Sequence, residues 1–386
     1  MRKKEIVSRL AEEVQNEFEI RKLERRGLEN QWRLNLDFYN GKQNRKINSF
    51  DKLADTNKQF YWQENEVFNH IAPLVEARLA KLGEVQIEKS ELLEKSGFPK
   101  ARENVSMWAE LTGTGFYKVV WDNENGVVVG LDEDGREIKL GSAKVVSVSP
   151  FEIFADNLAA PSFNEVSSLI HAKVCDKKLI ERTWGVKIGG LDTSAVVIER
   201  YKNGLLTIVC EGQVLVNEPY DYLPFVRQTS ELVAGNFFGK SPVQRAIPVQ
   251  RAYNSLKNRK SEFLARLACG VLAVEDGSVD LDELEQTGLA PGKIVSYRQG
   301  ASAPKFLDAG SIPTELLQEE ERLLNEFKLI TGGADITVDS GKSGVALEIL
   351  TNQDNRRMTR PIASLKEAAR EVNEKINYLG AKYGKR

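Results

Sequence analysis

Histidine is almost absent from this sequence, with two in 386 residues, and cysteine is scarce, with three. His70 and His171 have no ligand spacing to Cys175, Cys210 or Cys269, so no zinc pattern is present and both are expected to be packing or surface histidines. Three widely separated cysteines argue against a disulfide framework and suit a reducing compartment. No run approaches the ~18 apolar residues that a membrane-spanning helix needs. The opening MRKKEIVSRLAEEVQNEFEI is charged and amphipathic without an apolar h-region, so no signal peptide is expected. A surplus of charge is missing too: 54 lysines and arginines face 56 aspartates and glutamates, for a net charge of -2. Tight generic DNA binding draws on a basic surplus, and its absence disfavours that class while leaving room for a protein past which DNA slides.

Catalytic signatures are equally thin. Gly341-Lys342-Ser343 resembles the end of a P-loop, but Ile336 stands where the first glycine belongs. Gly113-Thr114-Gly115 lacks the third glycine of a dinucleotide fingerprint, because Lys118 occupies that position. DNENG and DEDG fit hairpin turns and lack the acid spacing of a calcium loop. A nucleic-acid-processing ATPase or nuclease would require a complete P-loop or an acidic metal cluster, and neither is visible. The expectation is a non-enzymatic protein without metal or cofactor.

What is present is an ordinary globular composition, 41% hydrophobic and 28% charged, long enough for two or three structural units. Residues 4–40 read as helix, with Ile6, Val7, Leu10, Val14 and Phe18 and then Leu28, Trp32 and Leu36 at helical spacing. A polar loop to about residue 64 precedes a helix carrying Phe68, Ile71, Leu74, Val75, Leu79 and Leu82, with Pro73 in its first turn. From about residue 111 the texture is β-rich: FYKVVWD, VVVGL, KVVSVS, SSLIHAKV, VVIERY and LLTIVC. The basic run RKLERRG (21–27) suits a solvated helix face, with contact to DNA or a capsid shell as the sharper alternative.

Ser241-Pro242 opens a long helix running to Cys269-Gly270, with Val249, Tyr253, Leu256, Lys260, Phe263 and Leu267 as a narrow seam. A small α/β insert follows over 271–308: strand VLAVE, a short helix capped by Ser278, strand KIVSYR, and the extended piece PKFLD. A second long helix begins at Ile312-Pro313 with Leu316, Leu323, Leu324, Phe327 and Ile330 on one face. After a loop (333–344), a third helix carries Met358, Ile362, Leu365, Ala369, Val372, Ile376 and Leu379 in heptad steps, with Pro361 expected to kink it near Arg357. The first long helix is basic (Arg245, Arg251, Lys257, Arg259, Lys260, Arg266) and the second acidic (Glu315, Glu319, Glu320, Glu321, Glu326). They are expected to pair within a subunit or with the next one, or else to be solvated faces.

SPVQRAIPVQRAYNSLKNRKSEFLARL (241–267) resembles the portal proteins of tailed bacteriophages and prophages. LAPGKIVSYRQG (289–300), EEERLLNEFKLITGG (319–333) and SGVALEILTNQDNRR (343–357) are similar in the same order, as are FNHIAPLVEARLAKL (68–82), TGTGFYKVVWD (112–122) and SPFEIFAD (149–156). The resemblance implies an α+β portal fold: a β-rich wing (1–240), stem helices (241–268 and 312–332), an α/β clip (269–311), a tunnel loop (333–344) and a kinked spine helix (345–386) leading to a short or absent crown. Two departures stand out: the stretch between Gly83 and Trp108 is shorter than the family pattern, and little follows the spine helix.

The resemblance also implies a homo-oligomeric ring of about twelve subunits at the virion's portal vertex, assembled in the host cytoplasm. Through it double-stranded DNA is packaged and ejected without sequence readout. Its partners would be terminase, then a head-completion or tail adaptor protein, together with capsid and scaffolding proteins, and no membrane. Ile336, Thr337, Val338, Asp339, Ser340 and Lys342 would be the loop facing DNA, with Lys342 as one weak phosphate contact. Arg251, Lys257, Arg259, Lys260, Arg266, Glu315, Glu319, Glu320 and Glu326 would make stem contacts. A capsid or adaptor protein without a through-channel is the alternative, but it does not predict this order of elements.

Overall fold

The computed structural model describes all residues except 1, 57–62, 89, 125–127, 132–136, 191, 270, 289–292, 308–312, 333–343 and 385–386. It is a mixed helix and sheet protein of two compact units. The first comprises Met1–Thr56, Asn69–Pro248 and Lys328–Arg386; the second comprises Asn57–Phe68 and Val249–Phe327. The C-terminal helix therefore belongs to the same unit as the β-rich block, not to a separate division of the chain.

In chain order the elements are α1 (Arg2–Glu24), α2 (Arg26–Tyr39), β1 (Arg45–Ile47), β2 (Leu53–Asp55), α3 (Ile71–Glu84), α4 (Glu91–Lys95), α5 (Phe98–Thr112) and β3 (Thr114–Asp122). There follow β4 (Val128–Leu131), β5 (Glu137–Lys139), β6 (Ser142–Val148), β7 (Ile153–Ala155), β8 (Ser168–Asp176), α6 (Lys177–Trp184), β9 (Ser194–Lys202), β10 (Leu205–Cys210), β11 (Gln213–Pro219) and β12 (Phe225–Thr229). The chain closes with α7 (Pro242–Cys269), β13 (Val271–Ala273), α8 (Leu281–Thr287), β14 (Lys305–Leu307), α9 (Thr314–Thr331) and α10 (Gly344–Tyr383).

Two antiparallel sheets organise the first unit, one ordered β11-β10-β9-β8-β7 and one ordered β12-β3-β6. On the first sheet α1 buries Ala11, Val14 and Phe18 against Phe154, Ile170, Ala172, Ile198 and Val209. The buried stripe differs from the expected one: Val7 is exposed and Ala11 takes its place. The basic run is neither a solvated face nor a contact surface at two of its positions, since Arg21 and Arg25 are buried. Arg25 lies 3.6 Å from the Phe154 ring centroid, donates to the carbonyls of Pro150 (3.0 Å), Phe151 (2.7 Å) and Ile153, and pairs with Glu29 at 2.7 Å. Burial lowers its pKa to about 10 despite that partner.

The second sheet is covered by α5 and α10. Phe98, Ala101 and Val105 of α5 meet Tyr117, Val119 and Val145 of the sheet and Ala368, Ala369, Val372, Ile376 and Leu379 of α10. The heptad seam of α10 is thus spent inside its own unit, with Met358 and Leu365 packed on Leu82. α10 runs continuously through Pro361. Between Gly83 and Trp108 the chain forms α4 and the first part of α5, and the end of α5 is set by Gly113 at φ +93, whose N–H returns to Ala109 O at 2.8 Å.

Lys118, Glu199 and His171 tie the two sheets together. Lys118 of β3 reaches Glu199 of β9 at 2.6 Å, and Glu199 meets His171 Nδ1 of β8 at 3.3 Å and accepts from Tyr201 at 2.9 Å. His171 Nε2 lies 3.3 Å from Glu152, which makes it a satisfied core histidine.

Several local expectations change. Phe68 precedes α3 instead of lying in it, and the polar loop before residue 64 contains the β1–β2 hairpin. Asp280, not Ser278, caps α8, because its carboxylate accepts from Glu283 N at 3.1 Å. KIVSYR (293–298) forms no strand, whereas the extended PKFLD piece supplies β14, paired antiparallel with β13.

Candidate functional site

The second unit consists of α7 beyond Pro248, the joining segment with β13, α8 and β14, and most of α9. The start of α7 follows from its sequence: Ser241 Oγ accepts from Val243 N at 3.0 Å, and Pro242 occupies the first helical position. The expected seam is real near its start and fades along the helix. Val249 and Tyr253 are buried, Leu256, Lys260 and Phe263 are half-buried, and Leu267 is exposed. On α9, Leu323 is buried and Leu316, Leu324 and Phe327 are half-buried.

Opposite charges on the two helices meet within one chain. Glu320 receives Lys257 at 3.0 Å and Lys260 at 2.7 Å. The Lys260 hydrogen bond, set against partial burial, lowers the Glu320 pKa, and Glu320 in turn raises that of Lys257. The other predicted stem residues do not join this triad. Arg259, Arg266, Glu315 and Glu326 are exposed, Glu319 pairs with Arg322 at 3.5 Å, and Arg251 is half-buried with its pKa lowered by burial.

Sequence reasoning missed a second face of α7. Gln250, Asn254, Asn258 and Glu262 recur every four residues and bind the backbone of 64–68 at every second residue. Glu262 accepts from Glu64 N (2.9 Å), Asn258 from Glu66 N (3.0 Å) and Asn254 from Phe68 N (3.1 Å). Asn258 also donates to Glu66 O at 3.1 Å, and Gln250 to Phe68 O at 2.6 Å. The match is geometric: four helical residues rise about 6 Å, close to the roughly 6.6 Å that two extended residues span. The four-residue recurrence of Gln, Asn, Asn and Glu was the available signal.

The six residues predicted to face DNA, Ile336, Thr337, Val338, Asp339, Ser340 and Lys342, lie outside the described residues, as does Gly270. The flanks of that loop are described. Arg357 of α10 donates to Leu329 O (2.9 Å) and Ile330 O (3.3 Å), among the last residues of α9, all of which belong to the first unit.

Among the described residues no cluster of three histidine, cysteine or acidic side chains could hold a metal ion, and no helix is long and apolar enough to cross a membrane. An open cleft of about 720 Å³ in the first unit is lined in part by Tyr201, Phe225, Arg227, Glu371 and Lys375. Its cations are engaged: Arg227 donates to Phe237 O and Pro161 O, both at 2.5 Å, and Lys375 to Leu223 O at 2.7 Å. Burial raises the pKa of Glu371 there, but no nucleophile–base pair accompanies it among the lining residues. Comparison with known proteins found no family model and no curated protein that matches the chain.

Proposed function

We propose that this chain is one subunit of a tailed-phage portal, a ring at a capsid vertex through which double-stranded DNA enters and leaves. In that role it docks terminase during packaging and an adaptor afterwards, and it performs no chemistry itself. DNA passes without sequence readout, held away from tight binding by the lack of a basic surplus.

One observation supports this reading most: the described residues of the second unit bury few apolar side chains. Among its described residues the buried apolar side chains are Val249, Tyr253 and Leu323, whereas Leu264, Leu281, Ile294, Tyr297, Phe306, Leu307 and Leu317 are exposed. Long helices with so little burial gain their stability from neighbours, and a heterologous interface that closes on itself gives each copy two. The helix, α/β insert, helix, loop, long helix order adds to this through its resemblance to portal stems, clips and spines.

Native mass spectrometry of the purified chain tests the proposal. A closed assembly of about twelve copies of the 43.3 kDa chain is expected. A monomer at every concentration would overturn it.

A further inference from the structure

We propose that the open cleft of the first unit binds an organic cation, a primary ammonium or guanidinium group held by Glu371. The inference does not depend on the ring reading, because every residue lining the cleft lies in the first unit of one chain.

Two periodicities build the cleft. Phe225, Arg227 and Thr229 alternate along β12 and line it, whereas Val226 and Gln228 turn to α5, where Gln228 donates to Ser106 at 3.1 Å. Ser364, Glu367, Glu371 and Glu374 recur at three- and four-residue steps along α10 and line it as well. Leu365, Ala368, Ala369 and Val372 of the same helix are buried in the core. Phe163, Tyr201, Tyr220 and Phe225 bring aromatic rings to the lining, and the volume of about 720 Å³ is in the range of small-molecule sites.

The cations of the cleft are committed elsewhere. Arg227 donates to two carbonyls, of Phe237 and Pro161. Lys375 donates to Leu223 O and lies 5.6 Å from the Tyr222 ring centroid. Arg370 donates to Glu367 at 2.6 Å and lies 4.0 Å from Glu374. Glu371 is the acid left over. It is half-buried, no described residue donates to its carboxylate, and Lys375 and Arg227 act on it only through space.

A half-buried carboxylate without a donor carries a desolvation cost that a bound cation offsets. The aromatic faces attract the same charge, and Leu223 offers apolar contact to a carbon stem. One carboxylate among rings does not supply the oxygen shell that a divalent metal requires, so the arrangement selects an organic cation.

Isothermal titration calorimetry of the full chain tests the site. The probes are spermidine, Nα-acetyl-arginine amide and the neutral isostere Nα-acetyl-citrulline amide. At least one of the two cations should bind, and the citrulline amide should bind about ten-fold or more weakly than the tighter cation. Glu371→Gln should weaken cation binding about ten-fold or more, and Tyr220→Ala about three-fold. The tighter cation names the source, a free polyamine or an arginine side chain. Circular dichroism identifies a misfolded variant, and the wild-type comparison of charged and neutral probes decides the matter if one occurs. Three results would overturn the proposal: no binding of either cation at millimolar concentration, citrulline amide binding as tightly as the cations, or unchanged affinity in folded Glu371→Gln.

Discussion

Replacing Glu199 with glutamine removes the centre of the cluster that ties the two sheets of the first unit together. Burial alone would raise this carboxyl, but the hydrogen bond to His171 and the Lys118 ammonium at 2.6 Å outweigh it and hold the pKa at about 2. Set against an ordinary 4.5, that difference is worth about 3 kcal/mol of folding stability. The folded value lies below the unfolded one, so the contribution is complete above pH 4.5 and is lost as the pH falls toward 2. Glu199→Gln also leaves Lys118, whose side chain is 13% exposed, without its counter-charge. The expected loss at pH 7 is therefore about 3–5 kcal/mol. Urea titrations at a series of pH values measure both effects: the variant should be less stable at neutral pH and should lose less stability than wild type on acidification below pH 4.5. A variant within about 0.5 kcal/mol of wild type at pH 7, with an unchanged acid slope, would refute the reasoning.

Asn258→Ala removes both bonds to Glu66 and should cost about 1–3 kcal/mol, read as faster amide exchange across 64–68 with α7 intact. Gly113→Ala forces a left-handed backbone on alanine and drives its Cβ into the carbonyl of Gly239; the backbone strain alone costs about 1–3 kcal/mol, measured by thermal or denaturant unfolding. Deleting Ile336 to Lys342 should leave assembly intact, as judged by mass, while impairing DNA packaging in a reconstituted reaction. Loss of assembly in that deletion would make the loop an assembly element instead.

The long elements were legible because their burial follows apolar spacing. Met358, Leu365, Val372 and Leu379 are buried as their heptad steps predict. The helix α5 was not legible, because its inward positions include Ala101, Ser106, Ala109, Glu110 and Thr112. Glu110 is buried by Arg78 at 2.6 Å and Ser230 at 2.9 Å, a tertiary arrangement that periodicity does not register. Gly113-Thr114-Gly115, which lacks the third glycine of a dinucleotide fingerprint, has a packing role. Gly113 abuts Gly239, and a Cβ on Gly115 would meet the backbone of Val105. KIVSYR shows the converse: strand composition is visible in a sequence, but a strand exists only where a neighbour offers its edge.

For the candidate site, the acidic and basic helices were readable as complementary, and Lys257, Lys260 and Glu320 meet within one chain. The polar ladder on α7 was not, since its partner is backbone, whose hydrogen bonds leave no mark on residue type at 64–68.

Single-particle imaging of the purified full chain, viewed down its symmetry axis, tests the central claim most directly. The account predicts closed annular particles with an open centre wide enough for the DNA duplex. Particles without a through-channel, whatever their mass, would contradict it and favour a capsid or adaptor role.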